Sequence, residues 1–296
     1  GLKPTYGRVS RYGLIAYASS FDQIGPITNS VEDAAALLEV IAGEDEYDST
    51  MSDKEVPSFS NTVNKDDRPL KIAYFKECLE NKEVNHSVKE ETEKVLNNLK
   101  DIGYELNAVH FPLLDYTVPA YQVLSNAEAS SNLARYDGIH YGVRSQNAEK
   151  FEETYKKSRT EGFGEEVKRR IMLGTFVLSE GYYDAYYTEA QKVRNLIKEK
   201  TEQIFSEHDL IILPTTPAPP FKIEEIIDEP VKMYLQDIFT VQANLAGIPG
   251  ISLPIAHDNK GLPIGIQLLG PSFEEERLFS VGAELMSCAK DKNIQE

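Results

Sequence analysis

The chain of 296 residues has no tryptophan, four methionines and only two cysteines. Cys78 and Cys288 form no CxxC pair and have no His at ligand spacing, and they read as two free thiols in a reducing compartment. The five histidines (His86, His110, His140, His208 and His257) are scattered singly, with no other His or Cys four residues away, so no metal site is expected. Positive charge is scarce. Against 48 Asp and Glu there are 31 Lys and Arg, a formal net charge of −17. A surface that acidic repels phosphate backbones, which excludes nucleic-acid binding through a basic patch. No stretch reaches the roughly twenty apolar residues of a membrane helix, and no signal-peptide pattern is visible. Gly1 is not an initiator Met, so a targeting segment upstream stays open. What is present is ordinary for a protein with a buried core: 41% hydrophobic and 27% charged residues. The length suits one large domain or two small ones.

Residues 1–28 read as turns and short strands punctuated by Gly and Pro. A helix follows, capped by Asn29 or Ser30 with Asp33 three residues after Ser30. Its apolar face is Ala34, Leu37, Leu38 and Ile41, and Gly43 stops it. Residues 44–69 are polar, acidic and Pro-containing and read as an exposed loop. Then comes a βαβ pattern: a strand at 70–75, an amphipathic helix at 86–101 with Val88, Val95, Leu96 and Leu99 inward, and a strand at 104–111. The middle, 117–206, is mostly helical, with 182–205 as one long helix. HDLIILPTTPAPP (208–220) is a buried strand ending in prolines, a common place for a ligand cleft. NLAGIPGISLPI (244–255) and GLPIGIQLLGP (261–271) are apolar strand segments around the polar hairpin HDNK, and a last helix runs from Phe273 to about Met286. This is the grammar of an α/β protein, a mixed β-sheet covered by helices on both faces.

The Gly/Pro-rich strand ends alone are turn chemistry. In combination they say more. GLKPTYGRVSRYG, FDQIGPITNSVEDAA, LPTTPAPP, NLAGIPGISLP and GLPIGIQLLG occur in the order and at about the separations of the amidase signature family. The resemblance runs essentially end to end, so residues 1–296 are expected to be the C-terminal portion of a single amidase signature domain. Within the family, EASSNLARYDGIHYG (128–142), SRTEGFGEEVKRRIMLGTFVLSEGYYDAYY (158–187) and MYLQDIFT (233–240) resemble the glutamine-hydrolysing subunit of tRNA-dependent amidotransferases. That implies a cytoplasmic glutaminase whose partners are glutamine and the B and C subunits of a heterotrimer. It would pass ammonia to a partner that amidates Glu-tRNA(Gln), with ATP and Mg²⁺ on the partner, which also holds most of the tRNA, and no cofactor in this chain.

The family's apparatus is a Ser–cis-Ser–Lys triad, because a weak hydroxyl nucleophile needs a neighbouring base. The resemblance puts all three, with the Gly-rich oxyanion loop, upstream of Gly1. No catalytic residue is therefore assigned here, and the chain alone is expected to be inactive. The adjacent Ser19 and Ser20 fall where the family has a non-catalytic strand.

Substrate recognition does carry over. Free glutamine offers a carboxylate, which a guanidinium grips with two parallel hydrogen bonds, and an ammonium, which calls for an acid. The resemblance assigns these to Arg170 and Asp237, and a pocket-lining role to Tyr121. From the residues alone, Arg170 is equally a solvated helix charge, Asp237 a surface acid and Tyr121 a core residue among sixteen tyrosines. Arg169 lies about 100° away on a helix, so only one of the pair can face a pocket. The acidic run 225–230 and the basic run 168–170 read as solvated faces. Two other readings keep the fold: a fragment of another amidase signature amidohydrolase acting on free amides, and a non-catalytic glutamine- or partner-binding module.

Overall fold

The computed structural model describes residues 1–63, 69–223 and 230–293. Residues 64–68 of the sequence-predicted loop and 225–229 of the acidic run lie outside the described residues. In chain order the elements begin with β1 (Leu2–Lys3), α1 (Val31–Ile41), α2 (Phe59–Thr62), β2 (Lys71–Phe75), α3 (Lys76–Glu80), α4 (His86–Asp101) and β3 (Glu105–Val109). Then follow α5 (Leu114–Leu133), α6 (Phe151–Gly162), α7 (Glu165–Val177), a π-helical turn (Asp184–Thr188) and α8 (Glu189–Phe205). The chain finishes with β4 (Leu210–Pro214), α9 (Pro230–Leu235), α10 (Val241–Ala246), β5 (Gly250–His257), β6 (Pro263–Leu269) and α11 (Glu275–Asn293).

These elements divide into two compact units. One comprises Gly1–Tyr12, Gln23–Val118 and Leu196–Glu296, the other Gly13–Asp22 and Pro119–Asn195.

The first unit holds the sheet, ordered β1-β5-β6-β4-β2-β3. β2 is parallel to both β3 and β4, while β4–β6, β5–β6 and β1–β5 are antiparallel. The sheet is thus mixed, as the alternation of βαβ and hairpin patterns predicts. The βαβ unit follows its sequence signals: Asn85 caps α4, Val88, Val95, Leu96 and Leu99 are buried, and Gly103 turns the chain with φ 103° into β3. On one sheet face, Ile72, Leu210, Ile212, Ile251, Leu253, Ile266 and Leu268 join α1, α4 and α11 in one core. On the other, the Gln267 amide donates to the Phe239 carbonyl at 2.7 Å, three residues before Gln242 of α10, whose buried amide donates to the Thr201 hydroxyl of α8 at 2.9 Å. Strand alternation puts these two sets on opposite faces, so helices cover both.

A buried polar knot joins the N-terminal turns to the start of α11. Glu275 is fully buried and accepts from the Thr5 N–H (2.9 Å), the Thr5 hydroxyl (2.7 Å) and Arg8 Nη2 (3.2 Å). Arg8 also donates to the carbonyls of Glu55 and Phe273 and lies 4.6 Å from the Phe273 ring centroid. Such a pair is tolerated in a core because each charge has several partners.

Several sequence expectations are corrected. Leu37 points outward, and α1 buries Val31, Ala34, Ala35 and Leu38 instead. The stretch 44–69 is no simple exposed loop: Phe59 of α2 is fully buried against Phe279 at 5.6 Å, and Asp48 is turned inward by bonds from Arg11 and Thr50. Residues 244–246 end a helix rather than begin a strand, because Gly247 at φ 74° caps α10. The helix expected at 182–205 opens with the π-helical turn, and α11 runs on to Asn293.

Candidate substrate-binding site

α7 carries Arg170. Its Nε donates to Glu166 one turn earlier at 2.8 Å, the favourable i,i+4 order with Glu nearer the N-terminus. Arg169 bonds the same carboxylate. Arg170 Nη1 reaches the Tyr17 hydroxyl at 3.3 Å. Burial opposes its charge, and the bonds to Glu166 and Tyr17 more than offset that, holding the guanidinium above its ordinary pKa. The Arg170 side chain is 26% exposed against 49% for Arg169, so Arg170 is the inward member of the pair. One turn on, a Cβ built on Gly174 would sit 1.9 Å from the Asn126 carbonyl oxygen of α5. Only glycine lets the two backbones approach that closely, and the Ser130 and Thr175 hydroxyls bond across the contact at 3.0 Å.

Tyr121 lies on α5, half-buried, with the Phe21 ring edge-on at 5.3 Å and 70°. Phe21 and Tyr17 belong to one short segment that the Asp22 carboxylate closes into a turn by accepting from the N–H groups of Tyr17 (2.8 Å) and Ala18 (3.0 Å). The segment touches Arg170 through Tyr17 and Tyr121 through Phe21, so the structure brings these two sequence-predicted residues into one unit. Ser19 accepts from the Asn132 amide at 3.0 Å, and Ser20 bonds Glu128 and Arg194.

Asp237 falls in the other unit. It is exposed, in the turn between α9 and α10, where its carbonyl accepts from the N–H groups of Thr240 and Val241. That unit also holds a cleft of about 340 Å³ beside β1, lined among others by Lys3, Gln23, Thr240, Asn244, Ser252 and Gln267. Burial pulls the Lys3 pKa down to about 7, with Glu275 pulling weakly the other way. Its Nζ donates to the Pro4 carbonyl at 3.2 Å and to Gln23 at 3.4 Å, while the Gln23 amide nitrogen is buried without a partner.

Sequence reasoning named neither Glu166 nor Tyr17. The Glu166–Arg170 spacing was a visible signal, whereas the Tyr17 contact joins residues 153 apart and has none.

The family model described as Amidase matches residues 1–279. The chain belongs to the amidase signature family. This family member is 52% identical over 281 residues to the Brevibacillus brevis protein named as the A subunit of glutamyl-tRNA(Gln) amidotransferase, covering 95% of the chain and 57% of that protein. It is 53% identical to the Oceanobacillus iheyensis protein of the same name, over 94% of the chain and 57% of the relative. The crystal structure of the Thermotoga maritima protein of that name matches with a TM-score of 0.73 at 42% identity, over 95% of the chain and 56% of that structure. The chain therefore spans a little more than half the length of the curated relatives it matches. A 6-aminohexanoate cyclic dimer hydrolase, with TM-score 0.77 and 20% identity over 97% of the chain and 60% of its own, shares the fold. Among the described residues no helix is long and apolar enough to cross a membrane.

Proposed function

We propose that the chain is the C-terminal part of a glutaminase subunit of a tRNA-dependent amidotransferase. The whole subunit hydrolyses the side-chain amide of glutamine to glutamate and ammonia. Ammonia passes to partner subunits, B and C in a heterotrimer, which hold ATP, Mg²⁺ and most of the tRNA and convert Glu-tRNA(Gln) to Gln-tRNA(Gln) in the cytoplasm. The observation that carries this reading is the 52% identity, over 95% of the chain, to a protein named as that subunit.

The proposed roles follow from the shape of the substrate. Arg170, held in place by Glu166 and Tyr17, takes the α-carboxylate; Asp237 takes the α-ammonium; Tyr121 lines the pocket. A guanidinium suited to a carboxylate and an acid suited to an ammonium favour an amino acid over an aliphatic or fatty-acid amide. The nucleophilic Ser, its bridging Ser and the Lys base lie outside these residues, in the length of the relatives that the chain does not span. The serine attacks the amide carbon, ammonia leaves with the proton relayed from the base, and water then frees the enzyme from the glutamyl ester.

The test uses the full-length subunit with its partners. Arg170→Ala and Asp237→Ala should each raise the KM for glutamine roughly 10- to 100-fold, the worth of a charge-assisted hydrogen bond, with little change in kcat. A panel of aliphatic and fatty-acid amides should be turned over far more slowly than glutamine. Variants with an unchanged KM, or preference for the apolar amides, would sink this reading.

A further inference from the structure

Ser20 is the hub of a polar network that the chemistry proposed above does not use. Its N–H and hydroxyl donate to the two oxygens of Glu128, at 2.8 and 2.5 Å, as two parallel bonds. Arg194 of α8 grips the same residue from the other side, Nη1 to the Ser20 hydroxyl oxygen at 2.8 Å and Nη2 to its carbonyl at 3.1 Å. The Arg194 guanidinium also lies 4.4 Å from the centroid of the neighbouring Phe21 ring. Three residues back, the Tyr17 carbonyl accepts from the Asn132 amide at 3.1 Å. Glu128 and Asn132 are one turn apart on α5, and Tyr121 is two turns before Glu128 on the same helix. The segment is therefore fixed by α5 and α8 along its length, and its two aromatic ends are the groups that touch Arg170 and Tyr121.

We propose that Ser20, clamped between Glu128 and Arg194, is a positioning residue that fixes Tyr17 against Arg170 and Phe21 against Tyr121, and so sets the geometry with which the protein receives the substrate carboxylate. The inference rests on the glutamine reading above. It gives Ser20 a role with no bond made or broken: its oxygen is already saturated by a carboxylate and a guanidinium. A small displacement of such a support is felt at the ligand, because Arg170 must present its donors at fixed distance and angle.

The test compares glutamine kinetics of full-length complexes carrying Ser20→Ala, Ser20→Thr, Arg170→Ala and the double variant Ser20→Ala/Arg170→Ala. Ser20→Ala should raise KM roughly fivefold, the equivalent of one hydrogen bond, with kcat within about twofold. Ser20→Thr, which keeps the hydroxyl, should restore most of it. In the Arg170→Ala background, Ser20→Ala should add little, because it acts through that residue. If Ser20→Ala does not accumulate as folded protein, Glu128→Gln reads the same link and should raise KM likewise. An unchanged KM in Ser20→Ala or in Glu128→Gln, beside a raised KM in Arg170→Ala, overturns this inference alone. A collapse of kcat with KM intact overturns it in favour of a chemical role for Ser20. An unchanged KM in Arg170→Ala overturns the glutamine reading, and this inference with it.

Discussion

Lys3 shows how one side chain can tie stability to pH. Its pKa of about 7 in the fold lies well below the ordinary 10.5. Between those values the unfolded chain binds more protons than the folded one, so this residue makes stability rise with pH across that window. Lys3→Met should stabilise the protein at pH 7, and its advantage should shrink towards pH 10; urea midpoints of both forms at the two pH values measure this, and a constant gap would contradict it. The Arg8–Glu275 pair makes a second residue-scale prediction. Arg8→Met strands a fully buried carboxylate and should cost about 3–5 kcal/mol in chemical denaturation. Neither partner was legible in the sequence, since Arg8 and Glu275 are 267 positions apart. Arg170 was nameable because long motif blocks surround it. Of its supports, Glu166 had a visible i,i+4 spacing, whereas Tyr17 and Ser20 had no signal because they meet their partners only through tertiary packing.

At the scale of elements, local signals were reliable where periodicity and caps agreed. Ser30 does cap α1 through the Asp33 N–H at 3.0 Å, and α4 spans the predicted 86–101. They misled where a strong apolar run hid a change of element, as at 244–246, where α10 gives way to β5 through the left-handed Gly247. Phe59 escaped notice because a single buried aromatic in a polar stretch has no period to betray it. The close packing of α7 on α5 was invisible for a related reason: Gly174 looks like a helix-weakening residue until its neighbour is known. Gly174→Ala should cost about 1–3 kcal/mol as the helices are forced apart, despite alanine's better helix propensity. Thermal unfolding checks this, and an unchanged melting temperature would contradict the close packing; under the glutamine reading proposed above, Arg170 one turn away should also make the KM of the full-length complex for glutamine rise.

For the whole molecule, the mixed sheet with helices on both faces was legible from the order of βαβ and hairpin patterns, and membership of the amidase signature family from five motifs in sequence. The division into two units was not, since the segment Gly13–Asp22 joins a helical unit far along the chain. That division puts Arg170 and Tyr121 in one unit and Asp237 in the other. Under the glutamine reading proposed above, the nucleophile and its base lie outside residues 1–296. The decisive measurement is ammonia release from glutamine by this chain, beside a form extended upstream through the Gly/Ser-rich segment of the family. Only the extended form should release ammonia. Release by residues 1–296 would contradict that placement, and Ser19 and Ser20 would become the first candidates for the nucleophile.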